Sequence, residues 1–210
     1  NYRLKRNDIV IGNFISEIPP AEVTAEDIPL DIIYEDKNVI VLNKPAGLVV
    51  HPGSGNRSGT LVNALVNHFP EIIKTVFGKN EVSQMRPGLV HRLDKDTSGV
   101  MIAAKNARAL HSLAHQIQNR TVDKRYIALC FGWPRTERGH LVNFLGRDPK
   151  HRQKMADIGR ERGREAISDF IILKYLKDSK GNRLSLVEFV ISTGRTHQIR
   201  VQAGINGFPV

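Results

Sequence analysis

Apolar positions along the 210-residue chain follow two rhythms, and the changes between them predict the elements. Asp31–Tyr34 and Val39–Asn43 are short runs of branched residues that read as strands, broken by a Lys44-Pro45-Ala46-Gly47 turn, with Leu48–His51 resuming as a strand. Gly53, Gly55 and Gly59 mark 52–59 as a loop, after which Thr60 caps a helix whose Leu61, Ala64, Leu65 and Phe69 share a face. Gly88 to about Leu93 reads as a further strand, and Gly99–Lys105, almost continuously apolar, as a buried one. Asn106 caps a second helix, with Ala107, Leu110, Leu113, Ala114 and Ile117 at helical spacing. Lys124–Trp133, His140–Leu145, Ala166–Leu176 and Leu184–Ser192 are strand candidates. A Thr193-Gly194 turn then leads to a helix opening at Thr196 and running through Val201. Strands outnumber helices and rarely alternate with them, which predicts an α+β fold with a mixed, mostly antiparallel sheet and flanking helices.

Composition narrows the classes. With 40% hydrophobic and 25% charged residues the chain is ordinary globular material. No apolar run approaches the roughly 20 residues of a membrane span, so no membrane is expected as a partner. The single cysteine, Cys130, makes no internal disulfide and no thiolate metal site, which favours a reducing, cytoplasmic setting and no metal. The chain starts at Asn1 without methionine or a leader pattern and is expected to be a trimmed or partial chain.

Charge is unevenly spread. The formal net charge is +10, yet residues 16–38 carry −6, through acids such as Glu17, Glu22, Glu26 and Asp27. With Pro19, Pro20 and Pro29, residues 16–29 read as an acidic linker between a short leading segment and a strongly basic body. Such a body attracts polyanions, nucleic acid first among them. Residues 147–165, crowded with Arg147, Lys150, Arg152, Lys154, Arg160, Arg162 and Arg164, fit a solvated loop and a phosphate clamp equally well.

The densest polar cluster is His91-Arg92-Leu93-Asp94-Lys95-Asp96-Thr97-Ser98-Gly99, set between apolar runs. Two carboxylates and several cations at the end of a strand are expensive to bury for structural reasons alone, although a turn capped by Asp94 and paired with Arg92 is the plainer alternative. A kinase catalytic loop does not fit, because Leu93 separates Arg92 from Asp94. Metal ligation does not fit either: His51, His91, His140 and His197 are scattered without paired spacing. Gly53-Ser54-Gly55 lacks the Gly-Lys-Ser/Thr that would make a phosphate loop, so no cofactor is expected.

Arg86-Pro87-Gly88-Leu89-Val90 running into His91-Arg92-Leu93-Asp94 and on to Thr97-Ser98-Gly99 resembles the signature of the RluA-type pseudouridine synthases. The resemblance extends through Glu35-Asp36, Val39 to Lys44-Pro45, Gly47 and Val50-His51-Pro52, through Lys124-Arg125-Tyr126-Ile127-Ala128, and through Thr193-Gly194-Arg195-Thr196-His197-Gln198-Ile199-Arg200-Val201. Lys150 to Ala166 is similar to the insert of the members acting on large-subunit ribosomal RNA, and residues 1–15 resemble the tail of an S4-like RNA-binding domain. The resemblance implies a catalytic domain over 30–210, C-terminally incomplete after Val201, with a central active-site cleft, working as a monomer on 23S ribosomal RNA.

What the family match implies for individual residues is specific. Asp94 is the essential carboxylate, acting on the ribose or the base, and Arg200 supplies its counter-charge and a planar hold. Tyr126 stacks on the extracted uracil with its hydroxyl near the carbon that loses a proton, and Ile199 packs on the other side. Arg92 fills the vacated space in the RNA or meets a phosphate, while His91, Lys95 and Arg195 bind substrate backbone. Asp96 is the rival carboxylate, expected to be dispensable. A non-catalytic RNA-binding module and a synthase acting on transfer or small nuclear RNA remain the alternatives.

Overall fold

Alternation along Val39–Lys44 builds the first sheet. The computed structural model describes residues 9, 23–53, 55–75, 86–151 and 153–210, so the expected S4-like tail, Ile9 apart, and the first part of the acidic linker lie outside the described residues. The described chain divides into two units, Asn1–Leu110 and His111–Val210, with the boundary inside a helix.

In the first unit, β1 (Asp31–Glu35), β2 (Val39–Lys44) and β3 (Gly99–Ala104) form an antiparallel sheet in that order. The two-residue period of β2 turns Ile40, Leu42 and Lys44 inward, where the first two meet Ala103 and Met101 of β3. Helix α1 (Leu61–His68) starts as the sequence predicts: Thr60 is its N-cap and forms a reciprocal capping box with Asn63. Its burial is wider than one face, since every residue from Leu61 to Val66 is buried. Residues Thr24 and Glu26 lie across its start. The Asn63 side chain donates to the Thr24 carbonyl (2.8 Å), and the Glu26 carboxylate accepts the Gly59 N–H (3.0 Å). A 3-10 turn, Pro70–Lys74, follows α1.

Among the described residues, two expected strands form no ladder. Leu48–His51 makes one isolated bridge, Val49 to Thr60, and the carbonyls of Val49 and Val50 accept the first N–H groups of α1 (2.8 and 3.2 Å). Gly88–Leu93 makes one bridge among the described residues, Leu89 to Ala103. Gly88 turns the chain with φ +72°, and the His91 ring, not its backbone, takes the next donor of β3, the Ile102 N–H (3.1 Å). The apolar run at 99–104 is an edge strand of the three-stranded sheet, with Val100 63% exposed, and not a strand buried on both faces.

Helix α2 (Ala107–Gln118) is capped by Asn106, whose side chain accepts the Ala109 N–H (2.9 Å). Leu110 alone is fully buried on it, with Leu113, Ala114 and Ile117 half-buried.

The second unit is built on a five-stranded antiparallel sheet, ordered β4-β8-β7-β5-β6. Its strands are β4 (Arg125–Phe131), β5 (Arg138–Arg147), β6 (Met155–Asp157), β7 (Arg164–Lys177) and β8 (Arg183–Ile191). The basic segment 147–165 is therefore not wholly a loop, since β6 within it pairs with β5 through Leu145, Gly146 and Arg147. Helix α3 (Gln198–Ile205) starts later than expected, because Thr196 and His197 form a turn with His197 at φ +54°. Its Ala203 joins Phe170, Phe189 and Phe208 in the core of this unit. These elements form the α+β architecture the pattern predicts, with mostly antiparallel sheets and flanking helices. Among the described residues, no helix is long and apolar enough to cross a membrane.

Candidate active site

The loop carrying Asp94 is fastened on both sides of that residue. Leu93 is buried in front of it. Behind it, the Lys95 carbonyl accepts the Gly47 N–H (2.9 Å) and the Lys44 ammonium (2.9 Å). A turn closes from Thr97 N–H to the Asp94 carbonyl (3.2 Å). The two carboxylates of the loop differ in setting, with Asp94 half-buried and Asp96 exposed. Backbone anchors of this kind hold a short polar loop in one shape although few of its side chains pack.

Lys44, which stands in the first block of the resemblance with no role given to it, anchors this loop. It is fully buried, and its ammonium donates to the carbonyls of Pro45 (2.8 Å), Leu48 (2.9 Å) and Lys95. Burial pulls its pKa below the ordinary lysine value, and the charges of Asp96 and Asp94 work against that shift. The signal was in the alternation, because Lys44 occupies the third inward position of β2 after Ile40 and Leu42. Reading Lys44-Pro45-Ala46-Gly47 as a turn obscured it.

His51 lies in the same unit. Burial, with Arg86, Arg92 and His91 nearby, pushes its pKa down to about 3, so the ring is neutral at physiological pH. The Nδ1 atom of His51 is buried and has no hydrogen-bond partner among the described residues. His91 is half-buried, and its Nε2 accepts the Ile102 N–H, which leaves Nδ1 to carry the proton in the neutral ring. Arg92 and Lys95 are exposed.

The remaining candidates belong to the second unit. Tyr126 on β4, opposite Phe189 of β8, packs half-buried against the phenylalanine core, and Ile199 on α3 packs against that same core. The structure thus brings these two predicted residues to one cluster. Arg200 is exposed and lines a cleft of about 610 Å³ with Lys154, Met155, His197, Val201 and Ile205. The cleft joins the basic segment of 147–165 to the face of α3 that bears Arg200. Arg195 uses its Nε on the Glu165 carbonyl (2.8 Å), which ties the turn before α3 to β7. In the same unit, Lys124 has its pKa lowered by burial and then by Arg120 and Arg195.

The α+β fold and the loop carrying Asp94 were then compared with known proteins. The sequence profile described as RNA pseudouridylate synthase matches residues 38–204. An uncharacterized RNA pseudouridine synthase of Synechocystis is 45% identical across 100% of this chain and 61% of its own length. The ribosomal large subunit pseudouridine synthase D of Zymomonas mobilis is 42% identical over 90% of this chain and 57% of its own. Among solved structures, human RNA pseudouridylate synthase domain containing 1 superposes with a TM-score of 0.66 at 27% identity, covering 92% of this chain and 69% of that one. The chain belongs to the RNA pseudouridylate synthase family. It spans about six-tenths of the length of these and similar curated relatives.

Proposed function

We propose that this protein isomerises uridines to pseudouridine in large-subunit ribosomal RNA, with Asp94 as the catalytic carboxylate. In that reaction the bond from ribose C1′ to uracil N1 breaks and a bond from C1′ to C5 forms. The proton on C5 is lost and N1 gains one, so neither a redox partner nor a group donor is consumed. The enzyme extracts the uridine, retains the detached base and keeps water out.

The observation that carries the reading is the setting of Asp94. Of the two carboxylates in the loop, it is the half-buried one, and it is bracketed by a buried Leu93 and a doubly anchored Lys95 carbonyl. That is what a group needs if it is to meet a reacting atom in fixed geometry. In the same reading Arg200 supplies the counter-charge to Asp94, Tyr126 stacks on the base and serves proton transfer at C5, and Ile199 closes the other side. Arg92 replaces the extracted uridine or binds phosphate, and His91, Lys95 and Arg195 hold the RNA backbone. Relatives named for the ribosomal large subunit in Zymomonas, Nitrosomonas and Borreliella support ribosomal RNA as substrate.

The test is tritium release from RNA labelled at uridine C5, with large-subunit ribosomal RNA, small-subunit ribosomal RNA and transfer RNA as separate substrates. Asp94→Asn is expected to lose release by about 10⁴-fold or more while Asp96→Asn keeps it within about threefold. Asp94→Asn with wild-type turnover rules the assignment out. Release from transfer RNA alone moves the substrate and leaves the chemistry standing.

A further inference from the structure

Two buried glutamines hold α3, and the hydrogen bonds they make are complete. Gln198 is 4% exposed and Gln202 is fully buried. The Gln198 Nε2 donates to the Ile167 carbonyl (3.0 Å) and to Ser168 Oγ (2.8 Å). Its Oε1 accepts from the Thr193 hydroxyl (2.7 Å) and the Arg195 N–H (3.0 Å). The Ser168 hydroxyl in turn donates to Gln202 Oε1 (2.7 Å). Gln202 Nε2 reaches the carbonyls of Leu141 (3.2 Å) and Ala166 (3.1 Å) and the Asn143 side-chain oxygen (3.2 Å). Thr193 Oγ1 also accepts the Ile167 N–H (2.9 Å).

Position along the helix gives this network a consequence. Residues 198 and 202 lie one turn apart on one face of α3, whereas residue 200 is about 200° around the axis from 198. The opposite face, with His197, Arg200, Val201 and Gly204, lines the 610 Å³ cleft. An eight-residue helix has little stability of its own. Non-directional apolar contact from Ile199 and Ala203 tolerates a small roll, but an amide network with every partner placed does not. A guanidinium about 7 Å from the axis moves roughly 2–3 Å for a 20° roll. Misplacement by 1 Å is enough to cost on the order of 100-fold in rate.

We propose that the Gln198–Ser168–Gln202 network is the positioning element for Arg200, setting the rotation of α3 so that the guanidinium meets its target. This rests on the role given to Arg200 above. A merely structural network would lower stability and lower activity by the same factor whatever residue stands at position 200. A positioning network acts through the aim of the planar fork, and a lysine ammonium on a flexible stem has no fork to aim.

The experiment is single-turnover tritium release by Gln198→Met, Arg200→Lys and the double variant, with RNA affinity measured separately and folding checked by circular dichroism at the assay temperature. Gln198→Met is expected to lose turnover by about 30-fold with RNA affinity within about threefold, and to cost less than about threefold more in the Arg200→Lys background. Equal losses in the two backgrounds, or wild-type turnover in Gln198→Met, overturn the proposal. If Gln198→Met does not fold, Ser168→Ala removes only the bridging hydroxyl. It should lose about tenfold in the wild-type background and nothing further beside Arg200→Lys, and wild-type turnover overturns the proposal equally. Arg200→Ala with full activity rejects the role of Arg200 itself. Asp94→Asn with full activity rejects the reaction, so the three failures are distinguishable.

Discussion

At the scale of single residues, burial decides what the ionisable groups near Asp94 do. Lys44 spends a charged side chain on three backbone carbonyls and so turns a strand end into an anchor for the loop beside Asp94. His51 is held neutral with its pKa near 3. That depression is also a statement about stability. Between about pH 3 and 6.5 the unfolded chain binds a proton on His51 that the folded chain refuses. The contribution is complete above pH 6.5 and is lost as pH falls toward 3, at up to about 1.4 kcal/mol per pH unit. Urea unfolding at stepped pH checks this. The wild type should lose stability from pH 6.5 to 4.5 more steeply than His51→Asn, and parallel curves would show that His51 is not the group responsible.

At the scale of elements, the first unit depends on one close approach. Gly88 has φ +72°, and a Cβ there would lie 2.6 Å from the Ala104 carbonyl oxygen and 2.8 Å from Ile72 Cδ1. Its own carbonyl accepts the Ala104 N–H (2.8 Å), so the chain that leads into Asp94 begins in register with β3. Gly88→Ala is therefore expected to destabilise by about 2–4 kcal/mol, from a strained backbone and a clash with main chain that cannot turn aside. The shift in urea midpoint at unchanged slope measures it. Glu35 ties the same unit together elsewhere, joining the end of β1 to His68 (2.8 Å) and Lys105 (2.7 Å). Hydrogen bonds from Lys105 and then His68 hold its carboxyl below the ordinary glutamate range.

At the scale of the molecule, the net charge of +10 over the whole chain favours a polyanionic partner, in keeping with the proposed RNA substrate. If RNA is held by about five phosphate contacts, raising salt from 50 to 200 mM should weaken binding on the order of 100-fold, which filter binding at stepped salt reads as a straight line in log–log form. A slope near zero would place affinity in apolar or base contacts instead. Asp94→Asn should keep the wild-type slope, because it removes no cation.

Much of the molecule was legible in the sequence. Branched residues and helical spacing located all the longer strands and both capped helices, because burial of one face requires those periods. Asp94, Tyr126 and Arg200 were put forward by the resemblance, because the motifs that carry it are contiguous in the chain. Tertiary structure decided what depends on partners distant in sequence. Leu48–His51 formed a single bridge in place of a ladder, and its carbonyls went to the start of α1. The ring of His91 replaced a backbone partner on β3. Lys44 became an anchor only when Lys95 arrived from 51 positions away, and Gln198 and Gln202 became a network only when β5 and β7 presented their carbonyls. Periodicity records which face of an element is buried. It does not record which polar group will be waiting there, and those polar groups hold the Asp94 loop in one unit and helix α3 in the other.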